Sequence, residues 1–181
     1  MLRSTNQVRN ITLAAVFAAI DYVLAMMQIH IPSPVGHPFI DLGFTFVVIG
    51  MIFLGFKYGI IAGLIGLVLF DFLNGYAAHA YLTVMEVLMV GGVATLTFNA
   101  LGRSMKGSRL IVLGITTGIT KMISGYLRYV IEALMVGSHF NTALAMGVAA
   151  VPASVATGIA MMITVPLFGI ILYRVIHHLR A

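Results

Sequence analysis

Six apolar stretches joined by short gaps account for nearly all of this 181-residue chain. About twenty apolar residues cross a bilayer core as a helix. The stretches run roughly over residues 8–29, 41–56, 58–73, 80–101, 110–136 and 148–176. The second and third are short, which predicts tilting or a break near the outer surface, and the gap Phe56-Lys57-Tyr58-Gly59 predicts a tight hairpin between them. Pro152 and Pro166 are expected to bend or interrupt the last helix, since each removes a backbone hydrogen bond.

The basic residues order these spans. Arg3 and Arg9 precede the first stretch, Lys57 follows the second, Arg103, Lys106 and Arg109 follow the fourth, and Arg174 and Arg180 close the chain. The other three gaps hold no Lys or Arg. Cytoplasmic loops accumulate basic residues, so the alternation predicts an all-α polytopic membrane protein of six transmembrane helices, with both termini inside. Residues 1–181 then form a single transmembrane domain with no room for an extramembrane one. No cleavable signal is expected, because the first apolar run is too long for an h-region.

Composition narrows the function. Hydrophobic residues make up 61% and charged residues only 8%, with a mean hydropathy of +1.08, where a soluble domain carries about 25% charged residues. The net charge of +5 is spread over inner gaps, so it signals topology and not a nucleic-acid partner. There is no cysteine, which excludes disulfides and thiolate chemistry. No hydrolase, nucleotide-binding or metalloprotease motif occurs, so no catalytic residue, metal site or cofactor is expected. His177 and His178 fit a solvated helix end better than a metal site.

Charges inside spans mark pathways or sites. Lys121, Ser124, Gly125, Arg128 and Glu132 recur at three- and four-residue steps, which share a helix side. His79, Thr83 and Glu86 do the same one helix earlier. Counting a rise of about 1.5 Å per residue, Asp21, Glu86 and Arg128 fall at similar depth, roughly 10–13 Å below the outer surface. This convergence predicts an outward-facing polar pocket lined by His37, Asn74, His79, Glu86, Lys121 and Arg128. The alternative is a set of satisfied ion pairs, for example Glu86 with Arg128. Three prolines and two histidines between His30 and Pro38 make the first outer loop a stiff strap, either a connector or a lid over that pocket. In the first span, Ala14/Ala18 and Ala15/Ala19 each form a smooth strip that lets another helix approach closely.

Six spans in about this length, the double alanine spacing and the Pro-rich outer loop resemble the substrate-binding S-components of energy-coupling factor (ECF) vitamin transporters. The segments Ile40-Asp41-Leu42-Gly43, Gly55-Phe56-Lys57-Tyr58-Gly59 and Leu69 to Tyr76 are similar to the group for hydroxymethylpyrimidine or vitamin B6 precursors. The resemblance implies a bacterial plasma-membrane subunit that binds a vitamin from outside. It implies docking through Ala14, Ala15, Ala18 and Ala19 onto a transmembrane T-component, with two cytoplasmic ATPases driving the cycle.

The buried acids outnumber the buried bases, which favours a small heteroaromatic with hydroxyl groups, with Tyr76, Tyr81 and Tyr126 available to stack or hydrogen-bond. Pyridoxine or hydroxymethylpyrimidine is therefore expected first and pantothenate second. An ion-coupled secondary transporter is a third reading, although no internal repeat of the usual kind is visible. A membrane enzyme is weakened further by the missing motifs.

Overall fold

A computed structural model of the chain describes residues 2–27, 29–30 and 39–178. Five long helices dominate: α1 (Leu2–Met26), α2 (Gly43–Leu73), α3 (Ala80–Ala100), α4 (Gly107–Met135) and α5 (Phe140–His178). β1 (Ile29–His30) and β2 (Phe39–Ile40) form a two-residue antiparallel pair between α1 and α2. Segments long and apolar enough to cross a membrane number five among the described residues, where the sequence suggested six.

The difference lies in α2, which takes in the expected second and third spans. Two helical arms meet at Gly55, which stands at φ 77° and ψ 168°, a conformation that a side chain would disfavour. There the helix folds back on itself. Gly59 lies against Gly50 and Met51, Gly63 against Val47, and Leu67 against Gly43. These partners sit at equal distances either side of residue 55, as in an antiparallel hairpin. A straight helix would hold Gly43 and Leu67 about 36 Å apart. The hairpin expected at 56–59 thus exists, turning a residue earlier and without a loop. Glycines on its inner face allow backbone-to-backbone contact.

Local chemistry sets the other ends. The Gly43 amide donates to Asp41 Oδ1 at 2.8 Å just before α2, satisfying one of the free amides of a helix start. The α4 helix stops at Gly137, with φ 85°. The amides of Gly137 and Ser138 return to the carbonyls of Leu134 and Ala133, the paired closure typical of a left-handed glycine stop. The α5 helix runs through Pro152 and Pro166 without interruption, contrary to the stronger form of the expectation.

Two seams order the bundle. In the first, α1 lies on the α2 hairpin, with Ala14 and Ala18 buried beside Ala62, Phe17, Leu54 and Tyr58. In the second, α4 meets α5 at backbone distance: Gly118 and Gly158 each face the other's carbonyl, and Gly125 faces Ser154. Between the seams lies the apolar core, including Phe44, Val47, Leu67, Val87, Leu113 and Met161. Thr45 and Thr164 join α2 to α5 through a 2.7 Å hydroxyl bond. Large apolar side chains cover the outside; Leu96 is 70% exposed and Ile163 63%. Such an exterior suits lipid contact and not water.

Candidate substrate-binding site

A cavity of about 230 Å³ opens among α2, α3, α4 and α5. At its floor is a three-residue ion cluster. Glu86 is 1% exposed and sits where α3 faces α4. One carboxylate oxygen accepts from Lys121 Nζ at 2.6 Å and from Ser124 Oγ at 3.3 Å. The other accepts from Arg128 Nη1 at 2.9 Å, which also reaches Thr83 Oγ1 at 2.9 Å. The i, i+3 and i+7 spacing of Lys121, Ser124 and Arg128 makes this possible, since those positions share one face of α4. Burying a charge pair is tolerable only when its remaining donors and acceptors are met, and Glu86 meets that condition.

Both cations have capacity beyond this pairing. Lys121 Nζ lies 3.7 Å from the centroid of the Phe44 ring, a cation–π contact. Among the described residues, Arg128 forms its hydrogen bonds through Nη1, leaving the other donors of its fork open. Above the cluster, Asp71 is 4% exposed, and its Oδ2 has no hydrogen-bond partner among the described residues. An aromatic wall stands alongside: Phe70 and Tyr76 stack at 5.9 Å with planes 20° apart. His79 Nε2 and Glu132 Oε1 approach to 3.4 Å, each side chain about one-third exposed.

Asp41 enters from the chain just before α2. Its amide donates to Thr157 Oγ1 of α5 at 3.3 Å, and its carboxylate faces the cavity. Burial pushes the Asp41 carboxyl up to about 6, against the opposing pull of Lys121 and of the Gly43 amide. Four carboxyl groups (Asp41, Asp71, Glu86, Glu132) share the lining with two basic side chains, Lys121 and Arg128. That balance does not make an anion trap, which would present an excess of Arg or Lys.

Of the residues expected at the site, His79, Glu86, Lys121 and Arg128 line this one cavity. Asn74 does not belong to the lining. It is exposed, and its amide nitrogen donates to the Phe70 carbonyl at 2.9 Å, closing its own helix. His37 lies outside the described residues. Of the aromatics expected to stack, Tyr76 lines the cavity; Tyr81 instead donates to Met135 Sδ, and Tyr126 packs with Val130 and Ala143. The alanine strips separate: Ala14 and Ala18 are buried against α2, while Ala15 and Ala19 are exposed.

Sequence reasoning missed Asp41, Phe44, Tyr129, Ser154 and Thr157 as cavity residues. A signal for two of them existed. Ser154, Thr157 and Thr164 fall at i, i+3 and i+10 on an otherwise apolar helix, which is one face. Phe44 carries no such mark, because an aromatic in an apolar run looks like core.

This arrangement, a mixed polar and aromatic cavity enclosed by lipid-facing helices, defines a multi-pass membrane protein with a small-molecule site between its helices. A family model described as "ECF-type riboflavin transporter, S component" matches residues 5–178, and the chain belongs to that family. Comparisons with curated proteins and with solved structures gave no match. Membership makes the chain a substrate-binding subunit of an ECF vitamin transporter. Its partners are a T-component and ATPases. The matching model is the riboflavin type and does not confirm the grouping with hydroxymethylpyrimidine and vitamin B6 precursors.

Proposed function

We propose that this chain captures riboflavin, or a close flavin analogue, from the outer face of a bacterial plasma membrane and presents it to its partner subunits for import. The observation that carries this reading is the family match over residues 5–178. The cavity chemistry supports it. A tricyclic flavin ring needs an aromatic face to stack on, and Phe70 and Tyr76 offer one beside Phe44. Its carbonyl edge needs donors, which Lys121 and the open side of Arg128 supply. A polyhydroxyl chain needs acceptors and hydroxyls, and Asp71, Asp41, Ser154 and Thr157 stand in the lining. Pyridoxine and hydroxymethylpyrimidine, each with a single ring, leave part of that wall uncovered and fall behind riboflavin.

In this reading the α2 hairpin supplies two of six membrane-inserted segments, with both termini and the loop from Arg103 to Arg109 inside. Ala15 and Ala19, exposed on α1, form the strip that meets the T-component. Ala14 and Ala18 act one layer in, holding α1 to α2 so that the strip stays smooth.

Flavin fluorescence tests the substrate directly, because the isoalloxazine is excited in visible light that the protein does not absorb. Purified protein should quench riboflavin on binding and bind pyridoxine, hydroxymethylpyrimidine and pantothenate at least about a hundredfold more weakly, a gap of about 2.7 kcal/mol. Calorimetric binding of one of those three in preference to riboflavin overturns the assignment.

A further inference from the structure

Asp21 of α1 is completely enclosed, at 0% exposure, and does not line the substrate cavity. Neither of its carboxyl oxygens meets a hydrogen-bond donor among the described residues. Across the seam, Gly66 lies against the Asp21 Cβ, and Gly43 approaches the Asp21 carbonyl. Asp41, of the same sign, brings its Oδ1 to the same Gly43 that the Asp21 carbonyl approaches. On α2, the element packed against α1, the one basic residue is Lys57, near the reversal at the other end of the hairpin. On α1 itself Arg9 is twelve residues away, about 18 Å along the helix.

A buried polar atom without a partner requires an occupant, and an isolated carboxylate in such a place is far costlier than its neutral form. A metal ion does not suit the place. Hard cations gather about six oxygen ligands, and the described residues hold no group of three acidic, histidine or cysteine side chains. A proton needs a single oxygen.

We propose that Asp21 is a buried proton site, distinct from the substrate cavity and linked to it through Asp41. Asp41 is the connecting group because it touches both places. Its Oδ1 flanks Gly43 beside the Asp21 backbone, and its carboxylate lines the cavity among Lys121, Glu86 and Asp71. A substrate that covers Asp41 changes how strongly that carboxylate repels a charge on Asp21. Ionising Asp21 has the reciprocal effect on the substrate.

Infrared spectroscopy of the purified chain tests the site without any ligand. Wild type at neutral pH should show a carboxylic-acid carbonyl band that Asp21→Asn lacks. Raising the pH should bleach that band, and in Asp41→Asn, with the like charge removed, bleaching should occur at lower pH. The same acid band in wild type and Asp21→Asn, or an Asp21-dependent carboxylate band at neutral pH, overturns the proposal. If Asp21→Asn does not fold, Asp21→Glu keeps the acid and shifts its carbonyl frequency; an unshifted band is equally fatal.

The link is read from riboflavin titrations, and this arm alone rests on the flavin reading. Wild-type affinity should fall above the bleaching transition by up to about tenfold per pH unit, the slope of a one-proton linkage, while Asp21→Asn stays level. A level wild-type profile removes the link. Failure of riboflavin to bind at any pH overturns the flavin reading, and the infrared band still decides the proton site.

Discussion

Glu86 anchors two cations from α4, so the consequences of removing each partner are unequal. Glu86→Ala strands Lys121 and Arg128 in the interior with like charges facing. Leaving a buried charge uncompensated typically costs about 3–5 kcal/mol. Arg128→Ala leaves Glu86 still bound by Lys121 and Ser124, and is expected to lower the thermal midpoint in detergent by less. Its effect belongs to the ligand instead: affinity should drop, because losing a buried charged donor costs about 2–5 kcal/mol. Arg128→Lys should recover only part of that loss, since an ammonium cannot replace the planar fork. Equal thermal losses for Glu86→Ala and Arg128→Ala would contradict the shared-anchor geometry. Asp41 adds a pH signature. Burial holds its folded-state value near 6, against 3.8 unperturbed. The folded state therefore binds the proton more tightly, and stability falls as pH rises from 3.8 through about 6. Asp41→Asn should flatten that part of the profile of thermal midpoint against pH.

At the scale of elements, the α2 hairpin depends on glycines that no Cβ can replace. A methyl at Gly59 would lie 2.7 Å from the Met51 backbone, whereas at Gly92 nothing stands within 4 Å. Gly59→Ala should therefore destabilise the protein clearly. Gly92→Ala should be neutral or gain up to about 0.5–1 kcal/mol, the usual helix-interior difference. Comparable midpoints for the two variants in thermal unfolding would refute the fold-back contact.

The same hairpin shows how far the sequence could be read. The boundaries of α3 and α4 were legible to within a few residues, because Gly-rich or charged gaps delimit long apolar runs. The polar face of α4 was legible because helical spacing alone brings Lys121, Ser124 and Arg128 together. The placement of Asp41 and Phe44 was not, since it depends on α2 doubling back and setting its first turn against α5. Asn74 shows a related limit: the structure turns its side chain to its own helix end, which spacing alone does not reveal.

For the molecule as a whole, the proposed docking role predicts that the two alanine strips of α1 separate folding from assembly. Ala14→Leu and Ala18→Leu place extra volume in the α1–α2 seam, where overpacking costs about 1–3 kcal/mol, and should reduce the yield of folded protein. Ala15→Leu and Ala19→Leu project outward. They should leave riboflavin binding within about twofold, well under the 1.4 kcal/mol of a tenfold change, while lowering co-purification with the T-component and uptake in cells. Undiminished uptake in both would remove the docking role. With no native cysteine, topology can be mapped by single substitutions. Ser108→Cys and Ser138→Cys, at opposite ends of α4, should label from opposite sides of the membrane, and labelling of both from outside would reverse the proposed orientation.

The glycine-to-carbonyl seam between α4 and α5 also bears on how long a bound vitamin stays. Helices that meet backbone to backbone have no side-chain layer to rearrange, so this wall is preassembled and little freedom is lost there on binding. Release must then wait for motion elsewhere, in the half built from α1 and the α2 hairpin. The dissociation rate, more than the association rate, is thus the quantity expected to respond to changes in that half.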